Sequence, residues 1–406
     1  MKTNRRTFVG GMSAAAVLSG SRVAFAQKKY DDGATDKEIK IGHTNPYSGP
    51  ASSYGVIGKA EEAYWKSVND RGGINGRMVK FITLDDGYSP PKTVELVRQL
   101  VEQEKVLSLF NTLGTPTNTA IHKYMNQKKV PHLFLATGAS KWGKPKEFPW
   151  TMGYQPDYHT EAVIYAKHVL ANVKDPKIAV LMQNDDYGKD YWEGFKEGLG
   201  KDANKVVKHV TYEVTDPTVD SQVIQMKDSG ANVFFNISIP KFAAQSMRKA
   251  AEIGWRPAQY LNNVSGQVTT TMKPAGFDNV QGVITAAWLK DPTDKQWADD
   301  AEMKTWREWM AKYNPNGNVG DVNYVYAYSV SFLMEQTLKK CGDNLTRANL
   351  MRQAASHQKL RVPLLLPGIT VSTSPTDFYP VQAVQLQRFK GETWELFGNV
   401  LAAEST

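Results

Sequence analysis

Apolar and polar positions along the chain follow a repeating order: a short apolar run, a polar break, then a longer stretch with apolar residues every three or four positions. Residues 39–42 read as a first strand, running into the loop Asn45-Pro46-Tyr47-Ser48-Gly49-Pro50. From about 53 to 70, Ile57, Ala60, Tyr64 and Val68 recur at helical spacing, and Gly72-Gly73 supplies the stop that helix C-termini favour. Residues 78–84 form a second strand ending at Asp85-Asp86. Ser89 with Pro90 then opens a helix carrying Val94, Val97 and Val101. A third strand falls at 106–110, a short helix at about 118–127, and a fourth strand at the start of Pro131-His132-Leu133-Phe134-Leu135-Ala136. Its unbroken apolar run is that of a strand buried on both faces.

Residues 148–153 read as a passage out of this first unit. The alternation then resumes, with helices at about 158–171 and 189–199 and strands at 177–182, 206–212, 233–237 and 259–262. From about 283 the pattern turns helical, over 295–313, 322–340 and 346–357, and short strands rich in Val and aromatics close the chain between 368 and 397. Strand–helix alternation is the signature of parallel sheets with right-handed crossovers. The expected fold class is α/β, with two lobes in tandem, each a mostly parallel sheet flanked by helices. A length of 406 residues fits two such units better than one core.

The formal charge of +8 changes meaning once the first 26 residues are considered. Arg5-Arg6-Thr7-Phe8, a weakly apolar run from Val9 to Leu18, and Ala24-Phe25-Ala26 have the three regions of an export signal in order, and the paired arginines resemble a twin-arginine signal. Removing residues 1–26 takes away Lys2, Arg5, Arg6 and Arg22 and leaves a mild +4, which does not argue for nucleic acid. Residues 27–37 are polar and are expected to be a disordered leader. No other apolar run reaches the roughly 18 residues of a membrane span. The mature protein is therefore expected in the periplasm. Cys341, without a disulfide partner, is expected to be a buried bystander.

Little in the chain suggests covalent chemistry. The seven histidines are scattered, and HExxH, CxxC, GxSxG, GxGxxG and GxxxxGK[ST] patterns are all missing. Asp85-Asp86 and Asp185-Asp186 sit where strands meet loops, positions at which Asp commonly forms turns and caps. No enzyme activity, metal or cofactor is expected. Two loops carry more promise. Thr137-Gly138-Ala139-Ser140 and Asn111-Thr112-Leu113-Gly114-Thr115-Pro116-Thr117-Asn118 both follow apolar runs with small residues and hydroxyls. In open α/β sheets, ligands collect beyond the carboxyl ends of the strands, where backbone N–H groups point outward. Such loops suit a carboxylate, or are ordinary turns. Tyr47, Tyr54, Trp142 and Tyr187, also near strand ends, either line a cleft or cover sheet edges.

Taken in order, the 45–50 loop with Tyr54-Gly55, Asn69-Asp70-Arg71-Gly72-Gly73-Ile74-Asn75-Gly76-Arg77, Asp85-Asp86, Thr115, Thr137–Ser140 and Asp186-Tyr187-Gly188 resemble the leucine/isoleucine/valine-type periplasmic binding proteins of ABC importers. The resemblance implies a two-lobed type I periplasmic-binding fold with three hinge crossings, solute being held in the cleft and sealed by closure. It divides the chain into a signal (1–26), a leader (27–37), a first lobe (38–153 with about 283–360) and a second lobe (154–282 with about 361–402). It implies a monomer that hands a small-molecule carboxylate to an inner-membrane permease and its ATPase subunits. A sensory module reporting to a membrane receptor is the rival with the same fold.

By the same resemblance, Gly114, Thr115, Thr137, Gly138, Ala139 and Ser140 hold the carboxylate, with Tyr54 and Tyr187 as aromatic walls. The family's amino-acid binders place an acid on a second-lobe loop for the α-ammonium. The matching stretch here, Asn262-Asn263-Val264-Ser265-Gly266, has none, and a second-lobe tyrosine of the family falls near Ile239. Ile239 and Val264 are thus expected to face an apolar ligand body. A buried ammonium without its carboxylate costs several kcal/mol. The expected solute is therefore a small hydrophobic carboxylate, an amino acid or a related acid, with a preference for an aromatic or branched acid lacking that group unless Asp157 or Asp186 supplies its partner.

Overall fold

A computed structural model describes residues 28–402; the expected export signal lies outside the described residues. The first part of the chain carries strands β1 (Lys29–Tyr30), β2 (Glu38–Asn45), β3 (Met78–Asp85), β4 (Ser108–Phe110), β5 (His132–Leu135) and β6 (Thr151–Gly153), with helices α1 (Gly55–Asp70), α2 (Pro90–Arg98) and α3 (Thr115–Lys128). There follow α4 (Tyr158–Asn172), β7 (Ile178–Gln183), α5 (Asp186–Leu199), β8 (Val206–Tyr212), α6 (Asp220–Asp228), β9 (Val233–Ile237), α7 (Pro240–Glu252), β10 (Ala258–Leu261), α8 (Lys273–Ala275) and β11 (Ile284–Ala287). The chain closes with α9 (Ala301–Tyr313), α10 (Val322–Cys341), β12 (Asn344–Leu345), α11 (Arg347–Ala354), β13 (Ala383–Lys390) and β14 (Thr393–Ala402).

Two sheets organise these elements. The first is all parallel, in the order β3-β2-β4-β5-β6. The second runs β14-β13-β11-β10-β9-β7-β8, parallel except where β13 joins β11 and β14 antiparallel. Central strands such as β4, β5, β7 and β9 are buried along their whole length, which is why they read as unbroken apolar runs. Helices α9 and α10 return to pack on α1, so the chain passes between lobes after β6, after β11 and again before β13. The α/β class and the two-lobed architecture are those expected.

The structure corrects several boundaries. Residues 28–37 are not a loose leader: Lys29–Tyr30 pairs in parallel with Asn344–Leu345. Arg77, almost fully buried, ties this segment down by donating to Thr35 O (3.1 Å), the Tyr30 hydroxyl (2.8 Å) and Asp343 (2.5 Å). Residues 151–153 form the fifth strand of the first sheet. Ile284–Ala287, expected in the first lobe, is a strand of the second sheet, and 368–382 holds no strand. Most consequential, α3 begins at Thr115 rather than near 118. Pro116 is tolerated in the first turn, and Asn118 Nδ2 holds that turn by donating to Gly114 O (2.7 Å) and Thr112 O (2.8 Å).

Candidate ligand-binding cleft

The carboxyl ends of β2, β4 and β5 in one lobe face those of β7, β9 and β10 in the other, around a cavity of about 110 Å³. Tyr54, Gly114, Thr115, Tyr187, Ile239 and Val264, all expected at the site, line it. Three tyrosines and a tryptophan that the sequence reading did not single out, Tyr88, Tyr158, Trp288 and Tyr326, complete an aromatic wall.

Gly114 precedes α3 with φ +102°, a conformation open to glycine and strained for any side chain. A Cβ there would lie 2.5 Å from the Tyr88 ring and 2.8 Å from Thr117 Oγ1. Its N–H is already committed to Ala136 O (3.2 Å), so it is Thr115, the first residue of α3, that offers groups to the cavity. First-turn N–H groups have no intrahelical acceptor and sit at the positive end of the helix dipole. An anion is well placed there.

The 137–140 loop is used differently. Thr137 Oγ1 lies 2.6 Å from Thr115 Oγ1 and accepts from Trp142 Nε1 (3.2 Å) and Ala139 N (3.3 Å). Gly138 O accepts from Tyr158 N (2.8 Å), and a Cβ on Gly138 would collide with Pro156 O. Ser140 donates from N (2.8 Å) and Oγ (2.6 Å) to Asp190 on α5, in the opposite lobe. Thr137, Gly138, Ala139 and Ser140 therefore stand outside the cavity lining, which this loop reaches only through Ala136. Its donors do receive a carboxylate, but it is the protein's own.

Other contacts across the cleft hold the lobes together. The Tyr54 hydroxyl donates to Val264 O (2.6 Å), and Lys141 Nζ meets Asp186 (2.8 Å). Tyr187 enters near the start of α5, where Asp185 caps by accepting from Tyr187 N (3.0 Å) and Gly188 N (3.2 Å); the Tyr187 hydroxyl has no partner among the described residues. Ile239 caps α7 and donates its N–H to the Tyr212 hydroxyl (3.1 Å). Behind Val264, the fully enclosed Glu161 is raised by burial to about 7. It accepts from Tyr165 (2.6 Å), Tyr191 (2.9 Å) and Asn263 N (2.8 Å), fixing the 263–265 turn.

The Asp doublets are turn formers. Asp85 accepts from Tyr47 N (3.0 Å) and Gly87 N (2.9 Å), and Asp86 from Tyr88 N (2.9 Å). Asp86 thereby holds Tyr88 at φ +62°, aimed into the cleft from a backbone region that a non-glycine residue rarely adopts. Asp157 caps α4 through Thr160 N (2.9 Å) and Asp186 is paired with Lys141, so neither lines the cavity. An unexpected acid does: Asp291, from the crossing after β11, which burial raises to about 6. Asn263, Gln267, Asn323, Gln155 and Gln387 also line the cavity. The pair Asn323 and Tyr326, three apart on α10, was hidden in what read as an ordinary core helix. Among the described residues no cluster of His, Cys, Asp and Glu is arranged to hold a metal, and no helix is long and apolar enough to cross a membrane.

A cleft between two α/β lobes, with a helix N-terminus on one side and aromatic walls, suits the capture of a small solute. The family model for periplasmic binding proteins matches residues 38–393, and the chain belongs to that family. It is 24% identical over 345 residues to Leu/Ile/Val-binding protein homolog 1 of Brucella abortus, covering 84% of this chain and 85% of the relative. Among solved structures it resembles a branched-chain amino acid ABC transporter protein from Thermus thermophilus with bound valine (TM-score 0.80, 14% identity, 91% of this chain and 98% of the other). It also resembles a solute-binding protein of an ABC transporter from Rhodopseudomonas palustris in complex with 3,4-dihydroxybenzoic acid (TM-score 0.74, 21% identity, 90% and 98%).

Proposed function

We propose that the protein is the periplasmic solute-binding component of an ABC importer and that its solute is a small aromatic carboxylate. The observation carrying this reading is the lining of the cavity. Six aromatic residues, Tyr54, Tyr88, Tyr158, Tyr187, Trp288 and Tyr326, surround a small volume that has the start of α3 at one wall. The acid group is received at Thr115 and the N-terminal turn of α3, while the rings stack on the ligand body. Closure brings Tyr187, Ile239 and the 262–266 turn over the solute and excludes water. The solute favours the closed state only through its tighter binding to that state. That proteins of this fold hold valine in one case and a dihydroxybenzoate in another supports a pocket whose chemistry is set by its lining.

In this reading the protein leaves the cytoplasm by the twin-arginine route, acts as a monomer, and passes its solute unchanged to an inner-membrane permease driven by ATPase subunits. A thermal-shift screen of benzoates, aryl-acetates, 2-keto acids and amino acids tests it. A saturating ligand at about 100 times its dissociation constant adds about 2.7 kcal/mol of stability. Stabilisation by aromatic acids, with the acid recovered intact, is the expected result. A response confined to leucine, isoleucine and valine would overturn it.

A further inference from the structure

Two of the rings that line the cavity belong to a buried aromatic cluster drawn from three separate segments. Tyr154 stands directly after β6 and Trp288 directly after β11, at two of the chain's passages between the lobes, and Tyr326 lies in the second turn of α10. Each ring meets the other two edge to face. Tyr154 and Trp288 are 5.3 Å apart at 79°, Tyr154 and Tyr326 5.7 Å at 67°, and Trp288 and Tyr326 5.9 Å at 86°. Trp288 and Tyr326 line the cavity, whereas Tyr154 is fully buried outside the lining and is backed by Phe134 (6.5 Å). The Tyr326 hydroxyl is pinned as well, accepting from Nδ2 of the fully buried Asn111 (2.9 Å). In a triangle where every pair already has the favoured arrangement, no ring can turn without breaking two contacts. Hinge rotation also displaces least the residues beside the crossings, where two of the three rings sit.

We infer that this triangle is a fixed floor of the cleft and that Trp288 limits the solute to a single six-membered ring. This deepens the aromatic-acid reading above and rests on it. The cavity, at about 110 Å³, is no larger than the roughly 150 Å³ in which a buried apolar site holds one benzene ring. Tyr187 and Ile239 lie on walls that close over the solute, so a second fused ring needs space from the floor. An interlocked floor does not yield it, and overpacking penalises the larger acid. Truncating Trp288 removes the largest side chain of that floor and opens room for the second ring.

Calorimetric titration with benzoate, 2-naphthoate and leucine tests this on the unmodified protein, on Trp288→Ala and on Trp288→Phe. The unmodified protein is expected to bind benzoate at least about ten times more tightly than 2-naphthoate. In Trp288→Ala the preference should reverse, because naphthoate gains a place while benzoate loses a packing partner. Trp288→Phe keeps a ring in the floor and should shrink the ratio several-fold, which decides the matter if the alanine variant does not fold. Equal affinity of the unmodified protein for the two aromatic acids would overturn the floor while leaving the aromatic-acid reading standing. So would a ratio that stays unchanged in the folded variants. Binding of leucine with neither aromatic acid bound would overturn both.

Discussion

The loops at 111–118 and 137–140 are near twins in composition, yet they face different partners. Both leave an apolar strand and turn to Thr, Gly and small residues. The first enters α3 directly, so its backbone becomes a helix N-terminus facing the cavity. The second runs into a short 3₁₀ turn at Ser140–Gly143 and clasps the other lobe through Asp190 and Tyr158. Small residues mark where backbone can be approached closely. What does the approaching is set by residues 20 to 50 positions away.

This contrast can be broken by substitution, and the largest effect is expected at Gly114. Gly114→Val places a branched Cβ at φ +102°, against the Tyr88 ring. Strain and overpacking together should cost roughly 3–4 kcal/mol of stability, and affinity should fall at least about a hundredfold by calorimetry. Next is the anchor of the facing wall. Glu161 is raised to about 7 in the folded protein, against an ordinary value near 4.5. Its contribution is therefore fully present below the unfolded value and is lost as pH rises through 7. In urea denaturation, wild type should lose roughly 2–3 kcal/mol relative to Glu161→Gln between pH 5 and pH 8.

Gly138→Ala should cost about 2 kcal/mol of stability through its collision with Pro156 O, with a smaller loss of affinity than Gly114→Val. The reverse order of affinities would make the second loop the ligand contact. The smallest and most discriminating pair is Thr115→Val against Ser140→Ala. Thr115→Val should weaken binding about tenfold, the equivalent of ~1.4 kcal/mol. Ser140→Ala removes one donor to Asp190 and should change affinity by no more than about threefold. It should also expand the unliganded protein measurably in small-angle scattering.

Much of the fold was legible because buried parallel strands and amphipathic helices write their periods directly into the chain. Helix α3 starts three residues before the expected 118, Pro116 being permitted in a first turn. Strand β1 was hidden by its polar composition, its partner lying over 300 residues away at Asn344–Leu345. At the site, Tyr54, Gly114, Thr115, Tyr187, Ile239 and Val264 were legible from strand-end position and from the resemblance. Asp291, Asn323 and Tyr326 were not, because a hinge crossing and one face of a long helix carry no local mark of what they border. The role of 137–140 was illegible for a related reason: its acceptor, Asp190, sits on a helix of the other lobe.

The claim on which the rest depends is that the solute's acid group is received at the N-terminus of α3. A crystal structure with a bound aromatic carboxylate tests it most directly. The expected result places the carboxylate within hydrogen-bonding distance of Thr115, with Ser140 still bound to Asp190. A carboxylate anchored at Ser140, or at any wall with Thr115 turned away, would contradict it.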